Sequence, residues 1–140
     1  MVRAIMHGCN GKMGQVITGL VRDDEQIEIV AGVDAYLGIE NTYPTFKTLA
    51  ECDVEADVVI DFSNASAVNA LLDECVARKL PVVLCTTGLS EEQLAKVDKA
   101  SESTAVLRSA NMSLGINLLM KLLKEAAKVL SPAGFDIELV

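Results

Sequence analysis

Three glycines in the stretch HGCNGKMG, residues 7–14, have a spacing suited to a phosphate-binding turn. Gly8, Gly11 and Gly14 follow a short apolar run and precede a stretch with helical periodicity. Such a turn needs a residue that tolerates positive φ, a bare backbone for a pyrophosphate, and a glycine where helix meets strand. The helix N-terminus then offers N–H groups to the phosphates. The loop is one residue longer than the usual dinucleotide fingerprint, and Asn10, which tolerates the left-handed region, is predicted to accommodate that residue. A glycine-rich loop without a ligand is the alternative.

A carboxylate follows these glycines at the distance expected for ribose recognition. Asp34 lies twenty residues beyond Gly14, at the end of the apolar stretch IEIVAGVD, where it can accept hydrogen bonds from an adenosine ribose. A 2′-phosphate beside Asp34 would meet like-charge repulsion. Ala35 and Tyr36 offer no adjacent cation, although Lys12 can relieve the repulsion in part. We therefore predict NADH as the preferred cofactor, with NADPH possible. The alternative is that Asp34 only starts a turn.

Two other polar stretches follow apolar runs. The stretch CTTG, residues 85–88, has hydroxyls and a glycine suited to a cofactor's ribose or nicotinamide, although it can equally be a threonine-rich turn. Asp61 is either a catalytic carboxylate or a residue that fixes the turn and caps the next helix, and we assign it no catalytic role. Because His7 is the single histidine, neither a zinc site nor an imidazole triad is expected, and a structural role is favoured for it.

Short apolar runs alternate with amphipathic stretches along the chain, and these elements must position the polar residues. The predicted strands are 2–6, 27–34, 56–63, 80–87, 104–109 and a last one that starts at 135; the predicted helices are 12–25, 64–79, 90–102 and 113–130. Residues 35–47 are predicted as a loop, and Ser90 as a helix cap. The first helix is expected to turn one apolar face to the sheet, namely Met13, Val16, Ile17, Leu20 and Val21. This alternation predicts a doubly wound α/β fold with a parallel sheet, whose ligands bind at the carboxyl ends of the strands.

Composition narrows the class of protein. With 140 residues, one compact domain with an appendage is expected. The net charge of −8 argues against nucleic acid as a partner. Since no apolar run reaches the roughly 18 residues of a membrane span and no signal sequence is apparent, no membrane association is expected. The four cysteines show no metal or redox spacing. They are interpreted as reduced thiols of a cytoplasmic protein.

The stretches GCNGKMG, VVIDFS, CTTGLS and SANMSLGINLLMKLLKEAAKVL together resemble the dihydrodipicolinate reductase family of the diaminopimelate and lysine pathway, over essentially the whole chain. The resemblance implies pyrophosphate contacts from residues 8–13, ribose contacts from Asp34, and nicotinamide contacts from residues 85–87 and 109–112. The implied cofactor-binding residues are Gly8, Cys9, Asn10, Gly11, Lys12, Met13, Asp34, Cys85, Thr86, Thr87, Ser109, Ala110, Asn111 and Met112. Cys85 stands where the family has glycine, and Lys12 where it usually has arginine, which keeps the charge and loses the planar fork.

The resemblance also implies a domain organisation and a reaction. Residues 1–112 would form a Rossmann-type NAD(P)-binding domain, and 113–140 the incomplete beginning of a second, α+β domain for substrate binding and oligomerisation. Hydride would pass to a small cyclic dicarboxylate, 4-hydroxy-tetrahydrodipicolinate, in a homotetramer. The family's catalytic histidines and lysine are expected beyond Val140, so that no catalytic residue lies in this chain and the chain alone is expected to be inactive. A stand-alone NAD-binding or sensing module, or another doubly wound dehydrogenase, is the alternative.

Overall fold

A computed structural model describes residues 1–138; Leu139 and Val140 lie outside the described residues. Strands and helices alternate along the chain. They are β1 (Val2–His7), α1 (Lys12–Val21), β2 (Ile27–Val33), β3 (Thr45–Phe46), β4 (Val58–Asp61), α2 (Ala65–Arg78), β5 (Val82–Leu84), α3 (Glu91–Ser101), β6 (Val106–Arg108) and α4 (Leu114–Leu130). A short 3₁₀ turn, Leu49–Glu51, lies between β3 and β4.

The strands form one parallel sheet in the order β3-β2-β1-β4-β5-β6. Strands β2 and β3 are added on one side of β1, and β4, β5 and β6 are then added on its other side. This order confirms the doubly wound α/β fold. Because β1 pairs with both β2 and β4, the topological switch point lies at the carboxyl end of β1. In open α/β sheets this is the place where ligands bind.

Apolar strands and one face of α2 form the core. Ile5 on β1, Val59 on β4 and Leu84 on β5 are fully enclosed, together with Leu71 and Leu72 of α2. These strands are covered on the sheet's faces, which is why their sequences are continuous apolar runs instead of alternating ones. Burial of this apolar surface holds the carboxyl ends of β1, β4 and β5 in fixed register.

Helix α1 packs on the sheet differently from its predicted apolar face. Met13, Val16 and Leu20 are exposed, and the buried residue of the helix is Gly14. A Cβ atom on Gly14 would overlap the backbone of Gly8 and Cys9. The helix therefore approaches the strand end through its glycine, and this close approach turns the predicted apolar face partly toward solvent.

Two other predictions of secondary structure are wrong in part. Thr45–Phe46, within the segment predicted as a loop, pairs with β2 as Gly32 with Thr45 and Val33 with Phe46. Two residues are too few to show a periodicity, so this strand exists only through its partner. Residues 135–138, where a last strand was predicted to start, have no regular structure, and a strand without a neighbour has no stable pairing. The remainder of that predicted strand lies outside the described residues.

The chain divides into two compact units, Met1–Ala110 and Asn111–Val140. In the second unit Ser113 caps the N-terminus of α4, because its side chain accepts a hydrogen bond from the Ile116 amide, 3.3 Å away. The large apolar residues of α4 are exposed, with Leu118 and Leu122 at 53% and 58%. Among residues 1–138, no helix combines the length and the apolar character that crossing a membrane requires.

Candidate functional site

The glycine turn after β1 has the backbone geometry that its spacing predicts. Gly8 adopts φ of +81°, and its amide donates to the Val33 carbonyl at 2.8 Å. A Cβ atom on Gly8 would lie 2.6 Å from the carbonyl oxygen of Phe62. Gly11 is the N-cap of α1 and provides no side-chain cap, whereas Asn64 and Ser90 cap α2 and α3 with their side chains. The first-turn amides of α1 are therefore left without a side-chain acceptor.

Asn10 accommodates the longer loop by hydrogen bonding and not by a left-handed conformation. Among the described non-glycine residues, only Lys79 has positive φ. The Asn10 amide donates to Asp34 Oδ2 at 3.0 Å, and the Asn10 side chain donates to the Tyr36 carbonyl and accepts from Asn41. The prediction for its backbone was thus wrong, since side-chain bonds to the segment after β2 fix the loop instead.

Asp34 lies directly after β2 and joins the two loops at the strand ends. Its Oδ1 atom accepts from the Tyr36 amide at 2.9 Å, and its Oδ2 atom accepts from Asn10. Each carboxylate oxygen can accept more than one hydrogen bond. The carboxylate is thus held in place by backbone donors while keeping acceptor capacity for a ligand's hydroxyl groups.

A cleft of about 290 Å³ opens where β1, β2 and β4 end. Gly8, Gly11 and Asp34 line it, which brings together the glycine turn and the carboxylate. The remaining lining residues are His7, Val33, Ala35, Lys47, Phe62, Ser63, Asn64 and Ala67. The bare Gly11 backbone and the uncapped helix N-terminus offer hydrogen-bond donors that fit a dinucleotide's phosphates, and the Asp34 carboxylate offers acceptors that fit its ribose.

Some of these lining residues are not among the predicted cofactor-binding residues. Residues 62–64 directly follow β4, so the switch-point topology was a signal that could have found them. Lys47 directly follows the unpredicted strand β3. Lys47 lines the cleft beside Asp34 and Ala35, and it is a cation that the sequence did not indicate in addition to Lys12.

A buried polar cluster supports the floor of this cleft. Asp61 is fully buried, and its carboxylate accepts from Ser63 Oγ and Thr86 Oγ1, each at 2.6 Å. His7 Nδ1 lies 2.6 Å from Asp61 Oδ1. Burial alone would raise the pKa of Asp61, but the hydrogen bonds from His7, Ser63 and Thr86 outweigh it and the pKa is lowered. Asp61 therefore fixes the turn after β4, as one interpretation held, whereas Asn64 and not Asp61 caps α2.

The two segments predicted to contact the nicotinamide directly follow β5 and β6. Cys85 and Thr86 are buried and Thr87 is exposed. The Cys85 amide donates to the Asp61 carbonyl at 3.0 Å, and the Ser109 amide donates to the Leu84 carbonyl at 3.1 Å. Residues 85–87 follow β5, which pairs with β4, and residues 109–112 follow β6, the edge strand beyond β5. Both segments lie outside the lining of the 290 Å³ cleft. Ala110 ends the first unit, and Asn111 and Met112 belong to the second.

The side chains of Cys9, Lys12 and Met13 in the turn differ in their burial. Cys9 is fully buried, and burial first, then the charge of Asp34, raises its pKa to about 11. Its thiol lies against Gly32, where an added Cβ would come within 2.7 Å of it. Only the Cys9 backbone can therefore face a ligand. Lys12 and Met13 are exposed on the first turn of α1. Cys52, Cys75 and Cys85 are, like Cys9, buried free thiols.

The doubly wound parallel sheet, the glycine turn and the carboxylate after β2 define a Rossmann-type dinucleotide-binding domain. A family model described as the N-terminus of dihydrodipicolinate reductase matches residues 2–112. The chain belongs to the dihydrodipicolinate reductase family.

Curated relatives and solved structures agree with this membership. The chain is 54% identical over 144 residues to a 4-hydroxy-tetrahydrodipicolinate reductase from Caldanaerobacter subterraneus subsp. tengcongensis, covering 100% of this chain and 55% of the relative. It is 46% identical to the Clostridium novyi enzyme of the same name, again over 100% of this chain and 55% of the relative. The chain thus spans about half the length of the relatives it matches.

Among solved structures, a dipicolinate-bound dihydrodipicolinate reductase from Paenisporosarcina sp. TG-14 superposes with a TM-score of 0.80 at 26% identity, over 92% of this chain and 54% of that one. An oxidoreductase from Agrobacterium radiobacter shares the fold with a TM-score of 0.65 at 17% identity, over 90% of this chain and 41% of that one.

Proposed function

We propose that this chain supplies the cofactor-binding part of an NAD(P)H-dependent oxidoreductase that reduces 4-hydroxy-tetrahydrodipicolinate to tetrahydrodipicolinate in lysine and diaminopimelate biosynthesis. The observation that carries the proposal is the cleft at the end of β1, where Gly8, Gly11 and Asp34 meet. Family membership supplies the reaction class and a nicotinamide cofactor. The reduced nicotinamide, when bound, supplies a hydride.

The residues of the chain bind and orient the cofactor. The bare backbone of the turn and the uncapped N-terminus of α1 receive the pyrophosphate. Asp34, oriented by the amides of Asn10 and Tyr36, accepts from the adenosine ribose. Residues 85–87 and 109–112 receive the nicotinamide half, with Thr86 held in place by Asp61. The Cys85 side chain is buried, so we propose that its departure from glycine does not obstruct the cofactor.

We further propose a preference for NADH, because the 2′-phosphate of NADPH would approach Asp34. Replacing Asp34 with asparagine and Ala35 with arginine should shift the ratio of affinities toward NADPH. Isothermal titration with each cofactor measures that ratio, and Asp73→Asn, on the exposed side of α2, is the matched control. An unchanged ratio in the double variant would refute the ribose assignment.

The proton-transfer groups of the reaction are proposed to lie outside residues 1–140. His7 is the single histidine of the sequence; it is buried and engaged with Asp61. These 140 residues should therefore bind NADH without reducing the cyclic substrate. Turnover at an ordinary enzymatic rate would contradict this assignment. A stand-alone sensing module would also bind without turnover, and adding the histidine- and lysine-containing portion of a relative in trans or by fusion distinguishes it, since activity is then expected only of the reductase.

Substrate, assembly and location are proposed with it. The Paenisporosarcina reductase binds dipicolinate, a cyclic dicarboxylate, and this supports a substrate of the same class here. A homotetramer is proposed from the family resemblance. Four buried thiols without disulfides are consistent with the reducing cytoplasm, which is the proposed location.

A further inference from the structure

Lys47 is placed next to Asp34 by the pairing of β2 with β3. Val33 pairs with Phe46, so that Asp34 and Lys47 are the next residues of two adjacent parallel strands. The Asp34 amide donates to the Phe46 carbonyl at 2.9 Å, so the pairing continues to the peptide bond that joins Phe46 to Lys47. Neighbouring strands lie about 4.8 Å apart. The backbone therefore fixes the stem of the lysine within reach of whatever ligand the Asp34 carboxylate binds.

Lys47 is also free to serve a ligand. It is exposed, and among residues 1–138 the ion pairs within 4.0 Å involve other cations. The Asp34 oxygens accept from backbone amides, so the two side chains do not neutralise each other by direct contact. Beyond the 290 Å³ cleft, Lys47 lines a second one of about 420 Å³ that also contains Asp73 and Glu74. The flexible Lys47 side chain thus borders two clefts, one lined by Asp34 and the other by Asp73 and Glu74.

The ligand group that a cation at this position suits is an anionic substituent on the ribose. Beside Asp34 alone, a 2′-phosphate would be repelled, whereas a lysine at this position gives it a charge-assisted hydrogen bond. Lys12, the cation considered from the sequence, lies at the start of α1 and not among the residues that line the cleft.

We propose that Lys47 binds the 2′-phosphate of NADPH. Asp34 adapts the site to NADH, and Lys47 allows the same site to bind the phosphorylated cofactor as well. This proposal rests on the proposed function, because it concerns the adenosine end of the same site. Lys47 acts here as a specificity-determining residue and takes no part in hydride transfer.

The test measures the affinities of the 140-residue chain for NADH and NADPH by isothermal titration. The variants are Lys47→Gln, Lys47→Arg and Lys12→Gln. The control is Lys99→Gln, an exposed lysine in the last turn of α3, at the opposite edge of the sheet. Lys47→Gln should weaken NADPH on the order of tenfold and leave NADH within about twofold. Lys47→Arg should retain NADPH binding, and Lys99→Gln should change neither affinity.

A second readout is the salt dependence of the NADPH-to-NADH affinity ratio. The ratio should fall with added salt in the wild-type chain, because salt screens the attraction of Lys47 for the 2′-phosphate. In Lys47→Gln the ratio should no longer fall, because only the repulsion from Asp34 is left to be screened. An unchanged NADPH affinity in Lys47→Gln, an equal loss for both cofactors, or a loss confined to Lys12→Gln would each overturn the assignment. A wild-type chain that binds neither cofactor would refute the proposed function itself, whereas NADH binding without any NADPH binding would overturn only this inference.

Discussion

Gly8 is constrained by its backbone angle and by its neighbour at the same time. Its φ is +81°, and an added Cβ would lie 2.6 Å from the Phe62 carbonyl. Gly88 has φ of +75° but open space around its Cβ position. The two positions therefore separate the cost of the left-handed conformation from the cost of close approach.

We expect Gly88→Ala to lower the free energy of unfolding by about 1 kcal/mol, the cost of the conformation alone. Gly8→Ala should cost more, about 3 kcal/mol in total, because the turn must also move away from Phe62. Urea denaturation measures both. Equal losses at the two positions would show that the turn does not approach the β4 loop closely.

Asp61 links the cleft lined by Ser63 to the end of β5 through its hydrogen bonds with Ser63 and Thr86. Replacing it with asparagine removes the buried anion and puts an NH2 donor where one carboxylate oxygen accepts a hydrogen bond. We expect Asp61→Asn to lower the free energy of unfolding at pH 7 by about 3 kcal/mol. The exposed Asp73, paired with Lys96, is the control, and Asp73→Asn should cost less than about 1 kcal/mol.

The same carboxylate makes this stability dependent on pH. The folded-state pKa of Asp61 is lowered, so its contribution is complete above the unfolded-state value of about 3.9 and is lost as the pH falls through the folded-state pKa. The difference between wild type and Asp61→Asn should therefore shrink below about pH 4. A difference that stays constant between pH 7 and pH 3 would contradict the ionised, hydrogen-bonded state.

At this scale the sequence predicts what is local. The positive φ of Gly8, the close approach at Gly14 and the position of Asp34 after β2 follow from spacing alone. The pair of His7 with Asp61 joins residues 54 positions apart, and Lys47 reaches the cleft through an unpredicted strand. Such contacts depend on the order of strands in the sheet, which no local pattern contains.

Among the elements, the helices differ in how they begin and end. Helix α3 is preceded by the predicted Ser90 cap, which forms a capping box, and α2 ends at Arg78, followed by the C-cap Lys79 with φ of +51°. Glycine is the residue that this conformation favours, because it lacks the Cβ that crowds the carbonyl.

We therefore expect Lys79→Gly to raise the free energy of unfolding by about 0.5–1 kcal/mol. Lys99→Gly, inside the last turn of α3, is the matched control and should lower it by about 1 kcal/mol. Thermal and urea denaturation of both variants measure the sign. A loss of stability in Lys79→Gly would mean that the lysine side chain contributes more than its conformation costs.

Element prediction succeeded where apolar runs were long enough to be bounded by turns and failed where packing decides. The two residues of β3 owe their structure to β2. The apolar face of α1 was read from periodicity, but the contact of Gly14 with the strand end sets how the helix is rotated. Periodicity cannot contain that steric detail.

At the scale of the whole molecule, the two units contain different parts of the proposed site. Unit Met1–Ala110 contains the complete sheet and the cleft, whereas the second unit contributes α4 and residues 111–112 of the proposed nicotinamide segment. The assignment of residues 113–140 to a substrate-binding domain stays a prediction. The relatives extend to about twice this length, consistent with proton-transfer groups supplied from elsewhere in the protein.

The central claim is that the cleft at the ends of β1, β2 and β4 binds the dinucleotide. A rival cavity exists, the groove of about 540 Å³ between α2 and α3, lined by Val76 and Lys99 among others. Titrating the ¹⁵N-labelled chain with NADH and recording amide chemical shifts distinguishes the two. Saturable shifts are expected at Gly8, Gly11 and Asp34, with the amides of Val76 and Lys99 unchanged. Shifts confined to the groove between α2 and α3, or the absence of saturable shifts, would contradict the claim.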